Sequence, residues 1–187
     1  MSQRVHTIAS GEYSTPLCIE LLVAQLQSPD GLVRMKARET LIQIGKQATP
    51  SITPLLAHPN ELVRWEACKT LEHIRDPKTA LSLSQMLLDE DMDVRWVAAD
   101  ALIELEHHAI VPVLEIIEEY FESPMVREAV HHVLHSLKEQ MVMDEQTNQV
   151  LESLKVNELP SKAAFAAEHA LDYYRTHAVP KRPRHLA

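Results

Sequence analysis

A chain of 187 residues that is 45% hydrophobic is long enough to bury a core. Aromatic residues at only 4% and three glycines, against recurrent leucine, alanine and glutamate, argue for helices and against sheets. A formal charge of −9 disfavours a broad phosphate-binding surface, so nucleic acid is not an expected partner.

In chain order, residues 1–15 are expected to be a flexible N-terminal segment without the apolar core of a signal peptide. The longest apolar run, near Ala109 to Leu114, is too short to span a bilayer, so no membrane is expected and the chain reads as cytoplasmic. Residues 16–140 carry a period. Val33-Arg34 returns as Val63-Arg64, Val94-Arg95 and Val126-Arg127, at spacings of 30, 31 and 32 residues. Four places after each valine stand Ala37, Ala67, Ala98 and Val130. Eight places after it stand Leu41, Leu71, Leu102 and Leu134, and eleven places after it Ile44, Ile74, Leu105 and Leu137. Offsets of four, eight and eleven share one face of a 3.6-residue helix, so each segment is predicted to be an amphipathic helix with a narrow buried stripe.

Upstream of these helices, Ser28-Pro29-Asp30, His58-Pro59-Asn60, Asp89-Glu90-Asp91 and Ser123-Pro124 suit the end of one helix and the cap of the next. The partner helices are predicted at Leu17 to Gln27, Ser51 to Ala57, Thr79 to Leu88 and Ile110 to Phe121, with Pro54 and Pro112 in or near the first turn, where a missing amide costs least. Residues 141–178 depart from the period. Glu145 to Val156 and Ser161 to Thr176 read as two capping helices, the second burying Ala164, Phe165, Ala167 or Leu171. An atypical hairpin is expected at a repeat-array end, which otherwise exposes an apolar face. Residues 179–187, with Lys181, Arg182 and Arg184, read as a flexible basic tail.

The run Asp93-Val94-Arg95-Trp96-Val97-Ala98-Ala99-Asp100-Ala101-Leu102 resembles the second helix of HEAT repeats, in particular the short phycobilisome-lyase-like subtype. The resemblance covers about Leu17 to Glu139 and is weakest in the fourth repeat, where Ala129 and Val130 shift the small-residue position. It implies an all-α fold, a right-handed α-solenoid of about four HEAT-like hairpins plus a C-terminal helical cap. It also implies structural roles for Arg34, Arg64, Arg95 and Arg127, each bonding an acidic or amide side chain of a neighbouring turn.

Second helices line the inner groove of such arrays. Met35, Trp65 and Trp96 share offset two from the valine, well away from the buried stripe, and the indoles of adjacent repeats are expected to stack. The stripe continues through Glu39, Lys69, Asp100 and Ile103. Large apolar side chains rimmed by charge suit a protein-binding surface, with packing between repeats as the competing reading.

Other chemistry is weakly signalled. His131 and His135, at i, i+4, could share a metal with a facing carboxylate such as Glu104, but the His-Glu dipeptides that mark metal-dependent hydroxylases of HEAT-like form do not occur. Cys18 and Cys68 lack metal-finger or disulfide spacing and are expected to be two buried thiols. Glu115, Glu118, Glu119 and Glu122 read as a solvated outer face. No nucleophile elbow or glycine-rich phosphate loop occurs, and no cofactor is expected.

The leading expectation is therefore a scaffold whose concave inner groove, centred on Trp65 and Trp96, holds a helix or extended segment of another protein. A lyase-type accessory factor for a bilin or its carrier is the alternative that the resemblance brings. A base-excision glycosylase of HEAT-like form would need a positive groove that an acidic chain does not offer.

Overall fold

The valine–arginine period becomes a stack of helical hairpins. The computed structural model describes residues 16–155 and 158–179, so the segments expected to be flexible, at 1–15 and beyond Val179, lie outside the described residues. Its helices are α1 (Pro16–Gln25), α2 (Gly31–Ile44), α3 (Thr49–Ile52), α4 (Glu61–Ile74), α5 (Ala80–Gln85), α6 (Met92–Glu104), α7 (His107–Tyr120), α8 (Pro124–Glu139), α9 (Glu145–Ser153) and α10 (Pro160–Tyr174). No strand occurs among the described residues. The second helices α2, α4, α6 and α8 pack side by side as one layer, while α1, α3, α5 and α7 form the other.

Burial follows the register. The residues at offsets four and eight, from Ala37 and Leu41 to Val130 and Leu134, are fully buried in all four repeats. At the open N-terminal end the stripe loosens, with Val33 and Ile44 half-buried where their counterparts in later repeats are buried. Each second helix starts at a side-chain cap: Asp30 accepts from Leu32 N, Asn60 from Leu62 N and Val63 N, Asp91 from Val94 N and Ser123 from Val126 N. Each is then followed by a residue of positive φ: Gly45 (73°), Arg75 (53°), Glu106 (52°) and Met141 (59°). Only the first of these is glycine, so the other three turns hold a β-carbon in a region costing about 1–2 kcal/mol.

The first-layer helices are less regular than the sequence predicts. In the second repeat, α3 tightens into a 3-10 turn over Thr53–Ala57, because Pro54 has no amide to return to the Pro50 carbonyl. In the third, α5 is flanked by 3-10 turns at Pro77–Thr79 and Met86–Leu88. Pro112 does not sit in a first turn. Helix α7 begins at His107 rather than Ile110, which leaves the proline inside the helix and the His108 carbonyl, on an exposed residue, without an amide four places on.

The arginine after each repeat valine ties turn to turn. Arg34 Nη1 donates to the Ser28 and Pro29 carbonyls at 2.8 and 3.0 Å, Arg64 Nη1 to those of His58 and Pro59 at 2.9 and 3.2 Å, and Arg95 Nη1 to those of Asp89 and Glu90 at 2.7 and 3.0 Å. Two of them also reach the next repeat. Arg64 makes a buried fork to Asp89, Nε to Oδ2 at 2.6 Å and Nη2 to Oδ1 at 2.8 Å, while Arg34 Nε reaches buried Glu66 at 3.1 Å, which also pairs with Arg38. The Asp89 carboxylate raises the Arg64 pKa and keeps the guanidinium charged. The ladder is incomplete. Arg95 stops at carbonyls, and the Arg127 guanidinium makes no hydrogen bond among the described residues.

The cap closes the array with its layers exchanged, since α9 packs on α8 and α10 packs on both α7 and α9. Ala163, Ala167, Ala170 and Leu171 are the buried residues of α10. Phe165, expected inside, is 71% exposed, because the helix turns its narrow alanine face to α7 and α9. The α9–α10 crossing is fixed by a polar cluster: Tyr174 Oη donates to Asp144 Oδ1 at 2.5 Å and lies 2.6 Å from the Thr147 hydroxyl. Burial, then Asp144, pushes the Tyr174 phenol pKa up, so the group stays a donor.

Asp89→Ala should cost about 3–5 kcal/mol in urea unfolding, because it strands a buried guanidinium, whereas Asp93→Ala, at an exposed position of the next helix, should change stability by less than about 0.5 kcal/mol. Tyr174→Phe should cost about 1–2 kcal/mol in the same measurement.

Candidate functional site

The face of the second-helix layer turned away from the first layer leaves a set of large apolar side chains exposed, as Leu17, Leu21 and Leu81 are on the first-layer helices. Offsets two, six and nine point away from the stripe at four, eight and eleven. On α2 this face presents Met35 and Glu39, both exposed. On α4 it presents half-buried Trp65 and Lys69, and on α6 it presents Trp96, 39% exposed, and exposed Asp100.

The two indoles do not stack on each other. Trp65 packs partly against the core and lies under the Arg38 guanidinium of the preceding repeat, 5.7 Å from the ring centroid. Trp96 meets His132 of the following repeat edge-on, with centroids 4.8 Å apart and planes at 67°. His132 Nε2 in turn lies 3.5 Å from Asp100 Oδ1. Each ring is held instead by a different flanking repeat. Ile103 does not join the surface. At 9% exposure it belongs to the core, because α4 and α8 flank that end of α6 on both sides.

Four residues outside the predicted set complete the face. Leu32, Leu62 and Met125 stand one place before the repeat valine, and Met92 stands two places before it. Their exposures are 54%, 40%, 53% and 58%. Three or four residues separate them from Met35, Trp65 and Trp96, so each helix start carries an apolar pair on one side. A large apolar residue one or two places after the cap in every repeat was the signal in the sequence. The result is a continuous ladder of Leu32 and Met35, Leu62 and Trp65, Met92 and Trp96, and then Met125. Between rungs the surface dips, with a depression of about 500 Å³ bordered by Leu62, Trp65, Glu61 and Asp93, and one of about 60 Å³ between Trp96 and Met125.

The charge along this face is one-sided. Glu39, Glu61, Asp93, Asp100 and Glu128 are exposed carboxylates. Most of the cations near them are engaged: Lys69 Nζ donates to Glu72 at 2.8 and 3.1 Å, Arg34 and Arg38 hold Glu66, and Arg95 holds two carbonyls, while Lys36 on α2 is exposed.

The other candidates come out differently. His131 and His135 approach with ring centroids 5.9 Å apart, yet no group of three or more metal-type ligands forms among the described residues. Glu104, the carboxylate that might have faced them, pairs with Arg75. Desolvation, then the neighbouring His135 and His132, lowers the His131 pKa. Of the cysteines, Cys68 is fully buried, and burial pushes its thiol pKa up, which suppresses the nucleophilic thiolate. Cys18 is not buried as expected but partly exposed, because α1 is the outermost helix of the array. Glu115, Glu118, Glu119 and Glu122 are all exposed along α7. A further cavity of about 580 Å³ lies between α8 and the α9–α10 connection, with Arg127, Lys155 and His131 facing Glu128 and Glu158, a lining of both signs.

Residues 19–103 match the family model for HEAT repeats. That span ends at Ile103, before the fourth hairpin, in which Arg127 has left the ladder. Among solved structures, the crystal structures of two engineered proteins are similar to this chain. One is 17% identical, with 84% of this chain and 79% of its own covered and a TM-score of 0.42; the other is 19% identical, with 86% and 82% covered and a TM-score of 0.40. No curated protein matches. No helix among the described residues is long and apolar enough to cross a membrane.

In the native protein, a thiol reagent followed by peptide mapping should modify Cys18, and Cys68 should react only after unfolding.

Proposed function

We propose that this HEAT-repeat protein is a scaffold that holds another protein on the face of its second-helix layer turned away from the first layer. The observation that carries the reading is the ladder of leucine, methionine and tryptophan side chains, exposed or half-buried, near the starts of four successive second helices. A monomer gains nothing from exposing large apolar groups in a row, whereas an interface uses such anchors at its centre, with charge at the rim. HEAT repeats generally serve protein binding, and a stack of rigid helices suits it because the surface is preorganised and loses little entropy on docking. The 30- to 32-residue period further supports placing these repeats in the short phycobilisome-lyase-like subtype. Catalysis has no comparable support, since the buried thiol is held protonated and the histidines gather no metal ligand set among the described residues.

The test is capture of native partners by wild-type protein and by two variants. Trp65→Ala/Trp96→Ala removes the central rungs. Met92→Glu/Met125→Glu disrupts the same surface at positions more than half exposed, without touching the core. Both should retain a helical far-ultraviolet spectrum and bind the partner at least about tenfold more weakly, the loss of one hot spot or more. Phe165→Ala, on the distant cap, should bind as wild type. Equal retention of the same partner by all four proteins would place the interface elsewhere.

A further inference from the structure

Resting on that reading, we infer that the occupant of this face is a basic amphipathic α-helix. Three features of the surface select it. The first is charge. Five exposed carboxylates, Glu39, Glu61, Asp93, Asp100 and Glu128, border the apolar ladder, and most of the neighbouring cations, Arg34, Arg38, Lys69 and Arg95, are already bonded within the protein. A partner whose polar positions are lysine or arginine meets complementary potential along the whole ladder, and an acidic one meets repulsion.

The second feature is the backbone. A face made of helix sides offers no free strand edge, because its amides and carbonyls are spent within the helices. An extended segment would leave its own backbone groups unpaired on an apolar surface, whereas a helix satisfies them internally. The third is pitch. Neighbouring packed helices lie about 8–10 Å apart, so the rungs recur at about that distance. Residues seven apart on an α-helix are about 10.5 Å apart, and a segment of about 18 residues spans the ladder. Leucines at i and i+7, with lysines between, present apolar groups at the rung spacing and cations at the rim.

The two tryptophans of the chain both belong to this ladder, so their fluorescence reports on it directly. The full-length protein is titrated with three 18-residue peptides: a lysine–leucine amphipathic helix, its glutamate–leucine twin, and a lysine–serine peptide of equal charge without an apolar face. The lysine–leucine peptide is expected to shift tryptophan emission at least tenfold more tightly than either of the others and to weaken as salt rises. On Glu61→Lys/Asp93→Lys, two exposed positions that leave the core intact, the preference should move toward the glutamate–leucine peptide. Equal binding of the two amphipathic peptides would overturn the basic character of the occupant while leaving apolar docking intact. Equal binding of the lysine–serine peptide would reduce the effect to net charge and overturn the helix. No emission change with any peptide would overturn the inference outright, and the scaffold reading is then judged separately by native partner capture with the ladder variants.

Discussion

The structure depends on an arginine that reaches backwards around the start of its own helix. In the first three repeats its Nη1 bonds the two carbonyls that end the preceding turn, and in the second its remaining edge grips Asp89 of the next repeat in a buried fork. Desolvating such a pair offsets most of its Coulomb attraction, so its contribution lies less in net stability than in specificity. A guanidinium fork tolerates one geometry. It therefore fixes the angle within a hairpin and the offset between hairpins, which apolar contacts between alanine and leucine would leave loose.

Once the second helices are held in register, their two sides are free to serve different ends. The buried side is nearly invariant from repeat to repeat, since alanine at offset four allows close approach and leucine at offset eight fills the gap. The opposite side is less constrained by packing, and there the residues vary in kind. Leucine, methionine and tryptophan line up as a ladder because the helices beneath them line up. The same registration places the carboxylates at its rim and draws His132 against Trp96 and Arg38 over Trp65 from the repeats on either side.

The two ends of the array solve the same problem differently. At the start, Val33 and Ile44 are only half-buried, with no earlier second helix among the described residues to cover them. At the other end the last hairpin enters with its layers exchanged, and α10 lays a row of alanines on α7 while Tyr174 bonds Asp144 and Thr147. With no further repeat in register among the described residues, Arg127 meets no carboxylate there, and the arginine ladder stops.

Periodicity and caps are local properties, and the sequence by itself determined the features that depend on them alone: helices throughout, four second helices beginning after Asp30, Asn60, Asp91 and Ser123, and the buried positions at four and eight. It also placed Met35, Trp65 and Trp96 on the side away from the core. Only the tertiary structure decided what meets what. The stacking expected of Trp65 and Trp96, the burial of Ile103, the exposure of Phe165 and the pairing of Glu104 with Arg75 all turn on neighbours remote in sequence. Likewise, Arg75, Glu106 and Met141 take positive φ without being glycine, because the closing turn is imposed by the packing of helices on either side rather than by the residue's own preference. A helical period fixes the direction of each side chain about its own axis, but how the axes are set against one another is a sum over contacts between repeats, and that sum is not written in any one of them.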